Sequence, residues 1–200
     1  MPNRPPDKPH PGSRVIRTSP EVLRRRVLRA VKPVGIETVP IERARGRVLA
    51  EVVRSPRPIP EMDRAVMDGY AVRHMDTRRA SAKEPVVLMS VDHIGAGHRA
   101  KRPLRKGEAV RIMTGAPLPS GADAVVPIEK VQIEESRIWI EHPVAKWADV
   151  RRTGSEIRLG EVVLKPGEAI GPSRLAMLAF MDRPRAKVYR QPRVGVLSTG

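Results

Sequence analysis

Cysteine is absent from the 200 residues, which excludes disulfides and thiolate-held metal sites. That absence fits a reducing compartment, and a cytoplasmic location is the expectation. Aromatic residues are nearly absent too: one Phe, two Tyr and two Trp. Any core must therefore be aliphatic, built from Val, Leu, Ile, Ala and Met. Single-strand nucleic-acid binders need aromatic platforms on which bases stack, and few rings are available here. Long apolar runs are missing, as is a signal-peptide pattern, so neither a membrane span nor export is expected.

What the chain has in excess is positive charge. Lys and Arg number 38 against 22 Asp and Glu, a formal net charge of +16. Such a field attracts anions. The cations are spread along the whole chain, and no Arg-rich recognition motif stands out. A nucleotide or an oxyanion suits the charge as well as nucleic acid does, and without a stacking set nucleic acid is not the expected partner. Two hundred residues suffice for one or two domains with a real core.

Residues 1–17 hold Pro2, Pro5, Pro6, Pro9 and Pro11 among scattered charge, a composition that predicts a disordered tail. Ser19-Pro20-Glu21 is a helix start, with a cap, a proline in the first turn and an acid at the positive dipole end. Leu23, Val27 and Val31 recur at helical spacing, so the helix runs over 19–31. The Pro-rich run at 56–60 and the Gly-Arg loop at 151–154 read as paired hinges, so this helix is expected to pack against 160–185. Residues 47–53 read as a strand. The run Ser55-Pro56-Arg57-Pro58-Ile59-Pro60 is stiff and extended, because proline fixes φ and removes donors. From Tyr70 to about Glu141 short strands alternate with Gly and Pro turns, which predicts a small barrel or sandwich. Asp92, His93 and His98 read as turn residues whose spacing matches no standard metal site. A short helix over 172–181 should bury Leu175, Leu178 and Ala179. Residues 193–200 read as a buried strand entering a Ser-Thr-Gly turn. The fold class is α+β, mostly β.

Three stretches carry chemistry. Pro60 to Val72 places two carboxylates, Asp63 and Asp68, around a short apolar run, with Gly69 directly after Asp68. Local chemistry reads this first as an Asp-Gly turn and second as an acid held out toward a ligand. Arg111 to Val126 holds Met113-Thr114-Gly115-Ala116-Pro117. Val150 to Arg158 clusters Arg151 and Arg152 beside a glycine and Glu156, an arrangement suited to clamping an anion. The plainer reading of that cluster is a basic loop with weak local ion pairs.

Met67-Asp68-Gly69-Tyr70-Ala71-Val72 and Arg111 to Val126, in that order, resemble the signatures of the MoeA/gephyrin family of molybdopterin molybdenumtransferases. The resemblance covers Thr18 to Gly200. It implies a discontinuous domain of 18–60 plus 155–190, an inserted β-rich, barrel-like domain of 65–150, and at 191–200 the first strand of a large α/β domain. It implies insertion of molybdate into adenylylated molybdopterin with Mg²⁺, giving molybdenum cofactor, in a homodimer. Asp68 and Thr114 would be catalytic, and Arg151, Arg152 and Glu156 would bind the anionic substrate. The 200 residues alone would be inactive, since most of the α/β domain does not follow. The alternatives are a non-catalytic dimerisation or scaffold module of the same family, or a nucleic-acid binder using the charge. Three positions depart from the family pattern: Ala65 for Ser, Val66 for Ala, and Glu156 for Asp.

Overall fold

A computed structural model describes residues 18–196 and 198, so the tail over 1–17 lies outside the described residues. Helix α1 spans Pro20–Ala30. The Ser19 hydroxyl accepts the Val22 N–H at 3.4 Å, and Glu21 occupies the first turn. The local signals thus produce the helix where they stand. Its expected packing is not found: none of its residues is buried, and Leu23, Val27 and Val31 are 56%, 52% and 66% exposed. The 160–185 region instead gives its apolar side chains to a core shared with residues 44–53.

That core begins with β1 (Ile36–Pro40) and β2 (Val53–Arg54). The strand expected over 47–53 is confined to β2 and two isolated bridges, Val48 with Ala169 and Leu49 with Val188. The cause is that neighbouring amides find different partners. Leu49 N–H donates to Glu168 while Ala50 N–H donates to Lys187, so no continuous ladder forms.

The chain then makes β3 (Arg64–Ala65), β4 (Gly69–Val72), the single helical turn α2 (His74–Thr77), β5 (Val86–Ile94), β6 (Glu108–Ile112), β7 (Ala124–Pro127), β8 (Val131–Glu134), β9 (Arg137–Ile140) and β10 (Val150–Arg151). Six of these form one sheet in the order β7-β4-β6-β5-β9-β8. It curls into a half-barrel, as the short strands and turns predict. β5 and β6 run parallel; the other pairs are antiparallel. Period-2 alternation splits its strands between two apolar clusters. Tyr70, Val72, Ala109 and Val126 face one cluster, and Ala71, Val110, Ile112 and Val125 face the other. Asp92 and His93 belong to β5 rather than to a turn; only His98 lies in the following loop.

After β10 the chain returns through β11 (Val162–Leu164), α3 (Pro172–Phe180) and β12 (Arg185–Tyr189). β11 pairs with β2, and β12 pairs antiparallel with β1 from Ile36↔Tyr189 to Pro40↔Arg185. Leu178 of α3 is fully buried with Leu49, Val53, Ile170, Met181 and Val188. Ala179 faces out, and Met181, three residues beyond Leu178, takes the inward position. The strand expected over 193–200 is not formed among the described residues. Arg193 to Val196 lie in no strand, and Val194 and Val196 are 78% and 90% exposed, so no neighbour supplies the pairing that a buried strand needs.

Candidate functional site

Residues 60–68 form a strip with a loop hydrogen-bonded along each side. On one side lies 113–118. Ala65 N–H donates to Ala116, Gly115 N–H to Ala65, and Leu118 N–H to Asp63. On the other side lies 149–154. Val66 N–H donates to Asp149, Gly154 N–H donates to Pro60, and β3 pairs with β10 so that Arg64 stands opposite Arg151. The three stretches singled out in the sequence, up to 90 residues apart, thus meet in one place.

Asp68 ends the strip. Its Oδ1 accepts both the Thr114 amide N–H and the Thr114 hydroxyl, each at 2.7 Å. These bonds favour the ionised carboxylate. The Thr114 hydroxyl, then the Thr114 N–H, then the nearby Arg111 guanidinium hold Asp68 below the ordinary aspartate range. Among the described residues no hydrogen bond is recorded to Oδ2, so that oxygen is available to a ligand.

Gly69 follows for a reason other than a turn. It is the first residue of β4, and a Cβ added there would lie 2.0 Å from the Val126 carbonyl oxygen of β7. The glycine lets β7 approach, and so seats Asp68 at the strand's start. The turn chemistry belongs instead to Gly115, at φ +80°, directly after Thr114.

Arg151 ends β10 and Arg152 opens the loop after it, both exposed. Arg151 Nη1 sits 3.0 Å from Glu156 Oε1, with both side chains half exposed. Glu156 is thus paired with Arg151 within the cluster, and a carboxylate does not itself attract an anion. Arg152 stacks on Trp147, its Cζ 4.2 Å from the ring centroid, and Lys146 lies over the same ring at 5.5 Å. Trp147 and Asp149 hold positive φ values of 67° and 51°, backbone strain concentrated just before the Arg pair.

Three members of this arrangement escape sequence reasoning. Trp147 gives no signal, because its role depends on a left-handed backbone. Arg111, with its Cζ 5.3 Å from the Tyr70 ring centroid, joins the site through the pairing of β6 with β4. Thr153 donates its N–H at 2.7 Å and its hydroxyl at 2.9 Å to Asp63 Oδ1. The described residues gather no cluster of three or more His, Cys, Asp or Glu able to hold a metal. No described helix is long and apolar enough to cross a membrane.

Residues 18–181 match the family described as "MoeA N-terminal region (domain I and II)". The chain is 39% identical over 163 residues to a molybdopterin molybdenumtransferase of Staphylococcus aureus, a match covering 82% of this chain and 39% of the relative. It is 38% identical over 180 residues to the molybdopterin molybdenumtransferase of Bacillus subtilis, covering 88% and 42%. A crystal structure of a molybdopterin biosynthesis MoeA protein from Pyrococcus horikoshii superposes with a TM-score of 0.74 at 37% identity, over 79% of this chain and 42% of that one. The chain thus spans about two fifths of the length of these relatives.

Proposed function

The chain belongs to the MoeA N-terminal family, and from that premise we propose that it supplies the N-terminal part of a molybdopterin molybdenumtransferase. In this reading the substrates are molybdate and adenylylated molybdopterin, and the product is molybdenum cofactor. Residues 18–60 with 155–190 make one domain and 65–150 an inserted one. The pairing of β1 with β12 and of β2 with β11 supports that division.

The observation that carries the reading is the convergence of Asp68, Thr114 and the Arg151–Arg152 loop on one strip. Asp68 is the catalytic carboxylate. Thr114 holds it ionised and fixes its rotamer, leaving Oδ2 for the reacting centre. Arg151 and Arg152 draw in the phosphates of the substrate and hold them in place, the positioning by which enzymes lower the entropic part of a barrier. Magnesium fits this chain through one donor, Asp68 Oδ2. A hydrated Mg²⁺ is commonly held by one or two carboxylates together with substrate phosphates. Bound there, the ion would neutralise phosphate charge.

The protein works as a cytoplasmic homodimer in this reading. The absence of cysteine suits that compartment, and the exposed apolar face of α1 is a surface that association would cover.

Complementation tests the proposal. Residues 18–190 replace the matching region of the Bacillus subtilis enzyme, in a strain lacking that enzyme. Restored molybdenum cofactor supports it; a chimera that accumulates, folds and yields no cofactor overturns it.

A further inference from the structure

Asp63 is the second carboxylate of the strip, and the proposed reaction leaves it without a role. It is half-buried, and it touches both flanking loops by different atoms. Its main-chain carbonyl accepts the Leu118 N–H at 2.8 Å, on the loop that carries Thr114. Its side-chain Oδ1 accepts the N–H and hydroxyl of Thr153, the residue directly after Arg151 and Arg152. The other ties between the strip and the 149–154 loop run between main-chain atoms. Asp63 thus repeats the arrangement of Asp68 with Thr114: one carboxylate oxygen, one threonine, two donors.

We propose that Asp63 is a positioning residue, which sets the Arg151–Arg152 pair relative to Asp68 by clasping Thr153. The physical need is plain. Arg151 and Arg152 are exposed, follow two strained residues in Trp147 and Asp149, and bring like charges together opposite Arg64. Main-chain bonds alone fix its path. A charge-assisted side-chain clasp at its far end also fixes where the guanidinium groups stand. The partner of the clasped loop is a phosphate-bearing anion. This inference rests on the anion-binding part of the proposed function.

The test uses the chain itself, in a Trp139→Phe background that leaves Trp147 as the only indole. Asp63→Ala removes the acceptor, Asp63→Asn keeps an oxygen in its place, and Thr153→Val removes the hydroxyl alone. Trp147 emission, amide exchange at Thr153 and titration with inorganic pyrophosphate are followed together. In Asp63→Ala, Trp147 emission should shift to the red and the Thr153 amide should exchange faster. The pyrophosphate dissociation constant should rise roughly tenfold, the scale of one charge-assisted hydrogen bond. Asp63→Asn, which keeps the acceptor without its charge, should restore all three readouts in part, and Thr153→Val should likewise fall between.

Unchanged Trp147 emission and Thr153 exchange in Asp63→Ala would overturn the proposal. So would a general loss of stability that Asp63→Asn shares, which marks a purely structural carboxylate. If the unsubstituted chain fails to bind pyrophosphate, the anion-binding reading falls. The emission and exchange measurements then still decide whether Asp63 positions the loop.

Discussion

Asp68 and Thr114 stand 46 residues apart in sequence, yet one carboxylate oxygen of Asp68 takes both the amide N–H and the hydroxyl of Thr114 at 2.7 Å. The pair joins the end of the 60–68 strip to the loop after β6. It also sets the charge of the site, since both bonds favour the ionised acid.

Thr114→Val should therefore raise the pKa of Asp68 toward the ordinary aspartate value, because the hydroxyl is the largest cause of its depression. The sign follows from a folded-state pKa below the unfolded one. The stabilisation is full above the unfolded value and is lost as pH falls through the folded value. In Thr114→Val that loss still begins at the unfolded value but ends at higher pH, and it is smaller. A carboxyl-carbon NMR titration of Asp68 below pH ~4 measures it. An unmoved midpoint would mean that the hydroxyl contributes nothing.

Gly69→Ala should destabilise the fold by at least about 2 kcal/mol, since overpacking against a backbone atom cannot be relieved by a rotamer change. The new Cβ would meet the Val126 carbonyl at 2.0 Å. Chemical denaturation checks this, and a stability equal to that of the unsubstituted chain would refute the close-approach role.

Leu178→Ala and Leu23→Ala should differ sharply. Leu178 is fully buried and Leu23 is 56% exposed. The first should cost about 2–5 kcal/mol through transfer and cavity terms. The second should stay within about 0.5 kcal/mol in a monomer. Thermal unfolding at low protein concentration compares them. A large loss in Leu23→Ala would mean that α1 is packed after all.

Much of this was legible beforehand, for identifiable reasons. The mostly β class follows from short apolar runs between Gly and Pro turns, and the three start signals of α1 appear as they stand. Packing partners were not legible. The apolar spacing of Leu23 and Val27 is what a buried helix shows, but spacing does not say whether a surface is waiting for it. Residues 193–196 have strand composition without a neighbouring strand among the described residues. The candidate site residues Asp68, Thr114, Arg151 and Arg152 came from the family resemblance of their motifs; Trp147 and Thr153 depend on backbone conformation and long-range contact, which one sequence does not display. Gly69 was found for its freedom and matters for its size.

The central claim is that Asp68 serves chemistry rather than local structure. Asp68→Asn keeps an oxygen that can accept from Thr114 and removes the negative charge. In the Bacillus subtilis chimera, the measurement is molybdenum cofactor formed from adenylylated molybdopterin and molybdate, beside the melting temperature. The melting temperature should stay close to that of the Asp68 chimera, while the rate falls by about a hundredfold or more. A rate equal to that of the Asp68 chimera, with the fold intact, would contradict the account and return Asp68 to a structural role.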